Sequence, residues 1–121
     1  MNYEEQLQSR GCPVEQTVEV IGGRWTTLII NQLLEGTKRY SELRNALTGV
    51  SPKTLTDKLR DLEKHGIVTR VVYPSVPPKV EYTLTVKGLE LKEVIGAMQS
   101  WGSRWGSTDA APHLRDGLEG V

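Results

Sequence analysis

The segment from Ser51 to Gly66 carries start and stop signals for a helix at both ends, and it limits the possible folds more than any other part of the chain. Ser51 is a favoured N-cap residue, and Pro52 suits the first helical position because its missing N–H is not needed there. Basic residues and then Gly66 suit the negative end of the helix dipole and the position after the last turn. Between these signals, three leucines have the i, i+4, i+7 spacing of one narrow buried face: Leu55, Leu59 and Leu62.

After this helix the apolar period changes from 3.6 residues to 2. Residues 67–73 are rich in β-branched side chains, and residues 80–84 alternate apolar and polar side chains, which predicts two strands. The connection at 74–79 is too long for a two-residue turn and is rich in proline. We therefore expect a hairpin with a stiff, protruding loop.

The flanking residues favour further helices. The apolar spacing predicts them over about 14–21, 24–35, 41–47 and 85–105. Pro13 precedes the first, Gly36 ends the second, and Ser41 and Thr85 are the predicted N-caps of the last two. The apolar residues predicted to face the core from the two central helices are Trp25, Leu28, Ile29 and Leu33, and then Tyr40, Leu43 and Leu47.

The order helix, helix, helix-turn-helix, strand, proline-rich loop, strand, helix predicts a winged helix-turn-helix, a mainly α fold with a small β-hairpin. A chain of 121 residues has room for one such domain, expected over 12–106, between an N-terminal arm at 1–11 and a disordered tail at 107–121. No apolar run approaches the roughly 20 residues of a membrane span, and the N-terminal stretch lacks the apolar core of a secretory signal. Together with a single cysteine, these features predict a cytoplasmic protein without a membrane partner.

The formal net charge of zero conceals an uneven distribution. Between Gly36 and Lys79 there are nine Lys or Arg residues against four Asp or Glu residues, so this segment carries +5 and the remainder −5. A local basic field attracts phosphates whatever the overall charge. A solvated surface of mixed charge is the alternative that the distribution alone leaves open.

The face of the 51–64 helix opposite the leucines is suited to DNA. It carries hydroxyl and long cationic side chains, and a major groove about 12 Å wide admits one helix. The side chains predicted there are Lys53, Thr54, Thr56, Lys58 and Arg60. The free N–H groups at 51–54 suit a phosphate, and the loop ending at Lys79 is placed to reach an adjacent groove or backbone. The alternative is an amphipathic helix whose polar face is simply solvated.

Six short blocks carry a family resemblance: CPVE at 12–15, IGGRWT at 21–26, RYSELR at 39–44, VSPKTLT at 50–56, LRDLE at 59–63 and YPSVPPKVEY at 73–82. Each block is weak by itself, but in this order and spacing they resemble the HxlR-type bacterial transcriptional regulators over about residues 12–105.

The resemblance implies a homodimer joined by its first and last helices and bound to a palindromic operator in double-stranded DNA. It places the recognition helix at about 51–64 and the wing at 74–79, and it implies no cofactor. Members repress or activate genes in response to electrophiles, oxidants or small metabolites, so a small-molecule effector is an implied partner. The DNA-contacting residues predicted on this basis are Arg39, Ser41, Ser51, Pro52, Lys53, Thr54, Thr56, Asp57, Lys58, Arg60, Val76, Pro77 and Lys79.

The last predicted helix supports dimerisation independently, because its apolar stripe is longer than a small domain needs and includes two tryptophans. The predicted interface residues are Val14 and Val18 of the first helix and Leu91, Val94, Ile95, Met98, Trp101 and Trp105 of the last. Packing of this stripe onto the first helix of the same chain is the alternative.

Cys12 lies just before the first predicted helix, where some members of the resembled family carry a sensing cysteine. A helix N-terminus stabilises a thiolate, which favours reaction with oxidants or electrophiles. The alternative is a small apolar residue at the dimer seam. One cysteine and two dispersed histidines give no metal-ligand spacing, so no metal site is predicted.

The sequence fits two other classes of function, an enzyme and a protein-binding module, less well than it fits DNA binding. An enzyme is not predicted, because no strand is followed by a Gly-rich phosphate loop and no nucleophile elbow is present. A winged-helix module that binds proteins instead of DNA predicts acidic or apolar groups at the positions of Lys53, Lys58 and Lys79, and this chain has cations there.

Overall fold

The computed structural model describes residues 12–106, which contain six helices and three strands. The helices are α1 (Pro13–Ile21), α2 (Arg24–Leu33), α3 (Tyr40–Ala46), α4 (Pro52–Lys64), α5 (Val86–Leu89) and α6 (Leu91–Trp105), and the strands are β1 (Lys38–Arg39), β2 (Val68–Tyr73) and β3 (Lys79–Leu84). The chain divides into two compact units between Leu89 and Glu90, so that α6 belongs to the second. The predicted arm at 1–11 and tail at 107–121 lie outside the described residues.

Helix α4 is the predicted helix of the Ser51–Gly66 segment. The Oγ of Ser51 accepts a hydrogen bond of 3.1 Å from the N–H of Thr54, which satisfies one of the first-turn donors. Gly66 ends the helix with a φ of 74°, a conformation that glycine adopts without steric cost. The three leucines of its stripe are all buried: Leu55, Leu59 and Leu62. The start, the end and the buried face of this helix are therefore confirmed.

The core of the first unit lies between α2, α4 and the sheet, since α2 contacts both α4 and β3, and α4 contacts β2. Apart from Cys12, its almost fully buried side chains are aliphatic, as expected for the interior of a small domain. They are Ile29, Ile30, Leu33, Leu43, Leu55, Leu59, Leu62, Ile67 and Val68. Burial of these side chains fixes which face of α4 remains available to a ligand.

The predicted buried face of α2 is confirmed at Ile29 and Leu33 and is wrong at Leu28. Leu28 is 37% exposed, whereas Ile30 is completely buried beside Ile29. Three consecutive apolar residues at 28–30 satisfy helical spacing on two adjacent faces, and only packing against α4 and β3 selects between them.

The N-cap of α3 also differs from the prediction. Arg39, not Ser41, is the N-cap residue, and its N–H donates a 2.7 Å hydrogen bond to Oε1 of Glu42. A glutamate three residues after the cap thus accepts from the backbone N–H of the N-cap residue, as in one half of a capping box. Ser41 lies in the first turn of α3 and is exposed.

The hairpin is part of a three-stranded antiparallel sheet of order β1-β3-β2. β2 and β3 pair from Val68 opposite Leu84 to Tyr73 opposite Lys79, while β1 pairs with the other edge of β3, placing Lys38 opposite Tyr82. Strand β1 was not predicted, because two consecutive charged residues show no apolar alternation.

The predicted helix at 85–105 is divided into α5 and α6. Thr85 caps α5 as expected, since its Oγ1 accepts a 3.0 Å hydrogen bond from the N–H of Gly88. The same hydroxyl donates to the carbonyl oxygen of Gly66 at 2.6 Å, which ties α5 to the end of α4. The contact with Gly66 is tertiary and leaves no local signal in the sequence. None of the described helices combines the length and apolar character needed to cross a membrane.

Candidate nucleic-acid interface

The side of α4 opposite the buried leucines is exposed and charged. Lys53, Asp57 and Arg60 are exposed and lie along this side, at i, i+4 and i+7. We call these three residues the outer face of α4. The structure therefore leaves uncovered, within the described residues, the central part of the surface that the sequence predicted for DNA.

The N-terminal turn of α4 adds backbone donors to this surface. The N–H of Thr54 is bonded to Oγ of Ser51, and the N–H of Leu55 is bonded to the Ser51 carbonyl oxygen at 3.0 Å. The N–H of Lys53 makes no hydrogen bond to any described residue, and Pro52 has none to offer. Because a helix N-terminus carries partial positive charge, this turn is a suitable position for a phosphate oxygen.

The pKa of Asp57 reflects the positive charge of the side chains around it on the outer face. Nζ of Lys53 donates a hydrogen bond of 2.7 Å to Oδ2 of Asp57, one turn along the helix. This hydrogen bond holds the pKa of the Asp57 carboxyl below its ordinary value of 3.8, against the opposing effect of desolvation. The charges of Lys53, Arg60 and Lys58 lower the pKa further. Three cations therefore lower the pKa of one carboxyl group on α4.

Two residues predicted for the outer face lie at its sides. Thr56 is half-buried, and its Oγ1 lies 3.3 Å from Oη of Tyr40, which also donates to the Pro52 carbonyl oxygen at 3.4 Å. Lys58 is half-buried on the opposite side of α4, with Nζ close to the backbone of Gly23. The difference arises because Thr56 and Lys58 border the leucine stripe, where α3 and the start of α2 are within reach.

The loop at 74–78, which we call the wing loop, extends between β2 and β3. Val76 is fully exposed at its tip, and Oγ of Ser75 donates a 2.7 Å hydrogen bond to the Pro77 carbonyl oxygen. Lys79 is not in the loop but begins β3 opposite Tyr73, with Nζ 5.5 Å from the centroid of the tyrosine ring. This contact with an aromatic ring holds the ammonium group of Lys79 near Tyr73, at the base of the wing.

The residues predicted for dimerisation occur in both units. On α1, Val14 is 69% exposed and Val18 is 56% exposed. On α6, the exposed apolar side chains are Met98, Trp101 and Trp105, while Leu91 and Val94 are half-buried and Ile95 is buried. Large apolar side chains that remain this exposed mark surfaces for association.

Cys12 is the N-cap of α1 and is only 2% exposed. Its Sγ accepts a 3.3 Å hydrogen bond from the N–H of Glu15. The thiol is therefore at a helix N-terminus, as predicted, and is shielded from solvent. Both interpretations of Cys12 stay open.

Two polar residues close to α4 were not predicted for the interface. Tyr40 was assigned only an apolar role, and its hydroxyl instead contacts α4 at two points. Arg70 of β2 was not assigned a role, and it is exposed opposite Tyr82 in the hairpin. Its only signal was its place in the basic segment between Gly36 and Lys79.

Known proteins are similar to this chain in both sequence and fold. Residues 20–110 match the family model of the HxlR-like helix-turn-helix. The HTH-type transcriptional regulator sll1512 of Synechocystis is 46% identical over 94 residues, which cover 78% of this chain and 70% of that protein.

Two solved structures agree with the fold in detail. The oxidized form of the redox regulator HypR superposes with a TM-score of 0.72 at 44% identity, covering 77% of this chain and 96% of HypR. The reduced form of the transcriptional regulator YodB of B. subtilis superposes with a TM-score of 0.68 at 41% identity, covering 77% of this chain and 92% of YodB. The chain belongs to the HxlR-like helix-turn-helix family of transcriptional regulators.

Proposed function

We propose that this regulator reads a two-fold symmetric operator in duplex DNA, with α4 in the major groove and the wing loop on the adjacent groove or backbone. The observation that carries the proposal is the charge at the start of α4. There, the backbone N–H of Lys53 makes no hydrogen bond to a described residue, and the side chains of Lys53 and Arg60 are exposed on the same side of the helix. Such a surface attracts phosphates and presents side chains long enough to reach base edges.

Within this proposal the residues divide into two roles. Ser51, Lys53, Thr54 and Asp57 occupy the first turns of α4, from which recognition helices contact bases. The remaining predicted contacts hold the backbone and set the register: Arg39, Ser41, Pro52, Thr56, Lys58, Arg60, Val76, Pro77 and Lys79. Arg39 and Ser41 suit this second role because they are exposed at the start of α3, the first helix of the helix-turn-helix.

Salt dependence of duplex binding tests the proposal. Fluorescence anisotropy with a labelled duplex of arbitrary sequence is expected to show binding that weakens steeply as salt is raised. The charge-reversal variant Lys53→Glu should bind weakly throughout, whereas Lys92→Glu, on exposed α6, should resemble the wild type. A winged-helix module that binds proteins would show no salt-dependent retention of DNA.

We further propose that the functional form is a homodimer that uses the exposed apolar side chains of α1 and α6. Trp101 is 65% exposed and Trp105 is 57% exposed in the single chain. Leaving two indole rings in water forgoes several kcal/mol of burial, so a second copy is a fitting cover. A dimer also matches an operator made of two related half-sites.

The likeness to HypR, which is described as a redox regulator, supports a third proposal, which concerns Cys12. We propose that oxidants or electrophiles modify this thiol and thereby change operator affinity. Because no second cysteine exists in the chain, oxidation joins it to the partner's Cys12 or to a small thiol. Diamide treatment should alter operator binding by the wild type and leave Cys12→Ser unaffected. Equal responses of the two proteins would make Cys12 a structural residue only.

A further inference from the structure

A cavity of about 330 Å³ lies between α4 and the sheet, entirely within the first unit. Its size falls in the range of small-molecule sites in proteins. The apolar part of its wall comes from Tyr40, Val80 and Tyr82, the last of which is only 6% exposed. The cavity therefore combines an apolar wall, backed by the buried Tyr82, with polar groups on its other sides.

Arg70 contributes a cation to this cavity from the hairpin. In the register of the hairpin, Arg70 lies opposite Tyr82, between the pairs Val68–Leu84 and Val72–Val80, so the three pairs share one face of the sheet. Tyr82 is buried, whereas Arg70 is exposed. The guanidinium of Arg70 is therefore open to a ligand that enters the cavity from solvent.

Helix α4 supplies a second guanidinium and one carboxylate to the same cavity. Arg60 and Glu63 line it together with Thr56, from which they are four and seven residues along the helix. Among the described residues, the only ion pairs within 4.0 Å are Lys38 with Glu35 and Lys53 with Asp57. Arg60, Arg70 and Glu63 thus line one cavity without pairing with one another, which leaves a net positive site.

We propose that this cavity binds a small organic anion, in particular an aromatic carboxylate whose ring lies against Tyr82 and Val80. Arginine recognises carboxylates through two parallel N–H donors, and the unpaired guanidiniums of Arg60 and Arg70 supply them. The Glu63 carboxylate accepts a hydrogen bond from a hydroxyl on the ligand. Inorganic phosphate, which represents the anion of a DNA backbone, is therefore the competing probe in the test of this proposal.

Occupancy of the cavity acts on the reading helix. Arg60 belongs both to the cavity and to the outer face of α4, so a bound carboxylate withdraws that cation from DNA. By linkage, the ligand and the duplex lower each other's affinity by the same factor. This consequence rests on the proposed function, whereas binding of the anion itself does not.

Calorimetric titration of the full chain without DNA tests the site, with 4-hydroxybenzoate as the probe. We expect saturable binding that is weakened about tenfold or more in Arg70→Gln, because a charged hydrogen bond is lost. The neutral isostere 4-hydroxybenzamide should bind at least about tenfold more weakly than the acid for the same reason. Arg44→Gln, a matched change at an exposed arginine outside the cavity, should leave the affinity unchanged.

Three outcomes would overturn the proposal: no saturable binding of the probe, equal binding by Arg70→Gln and wild type, or inorganic phosphate binding as tightly as the aromatic acid. Arg60→Gln provides a second variant should Arg70→Gln fail to fold. In a separate experiment, saturating probe should weaken duplex binding by the wild type and not by Arg70→Gln. A protein that binds the probe but no duplex would contradict the proposed function and leave the cavity assignment standing.

Discussion

Nζ of Lys53 lies 2.7 Å from Oδ2 of Asp57, so the lysine best placed to meet DNA is already bonded to an acid one turn along α4. Both side chains are exposed, and an exposed pair of this kind contributes little to stability. Its consequence concerns binding. A duplex must share Lys53 with Asp57, or must offer Asp57 a donor such as the amino group of cytosine.

Asp57→Asn should therefore strengthen binding to duplexes of arbitrary sequence, because Lys53 is released to a phosphate. The plot of log affinity against log salt should become steeper by about one unit. Neighbouring cations hold the pKa of Asp57 below its ordinary value of 3.8. The carboxylate is therefore charged at neutral pH and becomes protonated only at a pH below that value. The effect of the substitution should thus be constant across neutral pH.

Asp61→Asn is the matched control, because Asp61 is an exposed acid on the same helix without a cationic partner among the described residues. It should change the salt slope less than Asp57→Asn. Equal effects of the two substitutions would show that only net charge matters at this surface.

Lys79→Ala should weaken binding to every duplex by a similar factor and flatten the salt slope by about one unit. Lys79 begins β3 at the base of the wing, beside the Tyr73 ring, and we assign it to the DNA backbone. Lys92→Ala on α6 controls for the loss of one positive charge. A loss confined to the preferred operator would assign Lys79 to base reading instead.

Thr54→Ala should relax sequence preference and leave arbitrary-sequence affinity nearly unchanged. The side chain lies in the first turn of α4, where Oγ of Ser51 donates to its Oγ1 at 3.0 Å. If it contacts a base, we expect a cost of about 1–3 kcal/mol on the preferred site. Competition binding between the preferred and an arbitrary duplex measures this ratio. A uniform loss on both duplexes would remove Thr54 from the reading residues.

Trp101→Ala should convert the dimer into a monomer or a weaker dimer in sedimentation velocity experiments, because it removes the most exposed large ring of α6. Gln99→Ala, at an exposed polar position on the same helix, should leave the sedimentation coefficient unchanged. An undiminished dimer in the tryptophan variant would place the interface elsewhere.

Two glycines should respond to alanine in opposite directions. A Cβ on Gly88 would collide with the carbonyl oxygen of Ile67, so Gly88→Ala should lower the free energy of unfolding by about 1–3 kcal/mol. Gly96 lies inside α6 with no described atom within 4 Å of an added Cβ, and Gly96→Ala should raise stability by about 0.5–1 kcal/mol. Thermal unfolding of both variants checks the pair, and a stable Gly88→Ala protein would contradict the close packing of α5 on Ile67.

Elements with local signals could be predicted from the sequence, and those that depend on tertiary contacts could not. Helix α4 has its cap, its stop and its buried stripe within sixteen consecutive residues, from Ser51 to Gly66, and all three were predicted. Strand β1 has no such signal, because its two charged residues join the sheet only through pairing with β3. The choice of Ile30 over Leu28 for the core likewise depends on what α2 packs against.

The same distinction applies to the candidate interface. Helical spacing assigned Lys53 and Arg60 to the outer face of α4. Thr56 and Lys58 were misplaced because the neighbours at the edges of the leucine stripe, Tyr40 and Gly23, are distant in sequence. For the same reason the cavity beside α4 went unpredicted, since its wall combines two helices and two strands.

The most direct test of the central claim is selection of bound sequences from a pool of random duplexes. We predict that the wild type enriches one inverted repeat, that Thr54→Ala enriches a more degenerate version, and that Lys79→Ala enriches the same repeat less efficiently. If the wild type enriched no sequence over the starting pool, and Lys53→Glu retained as much DNA as the wild type at low salt, α4 would not be the element that reads DNA.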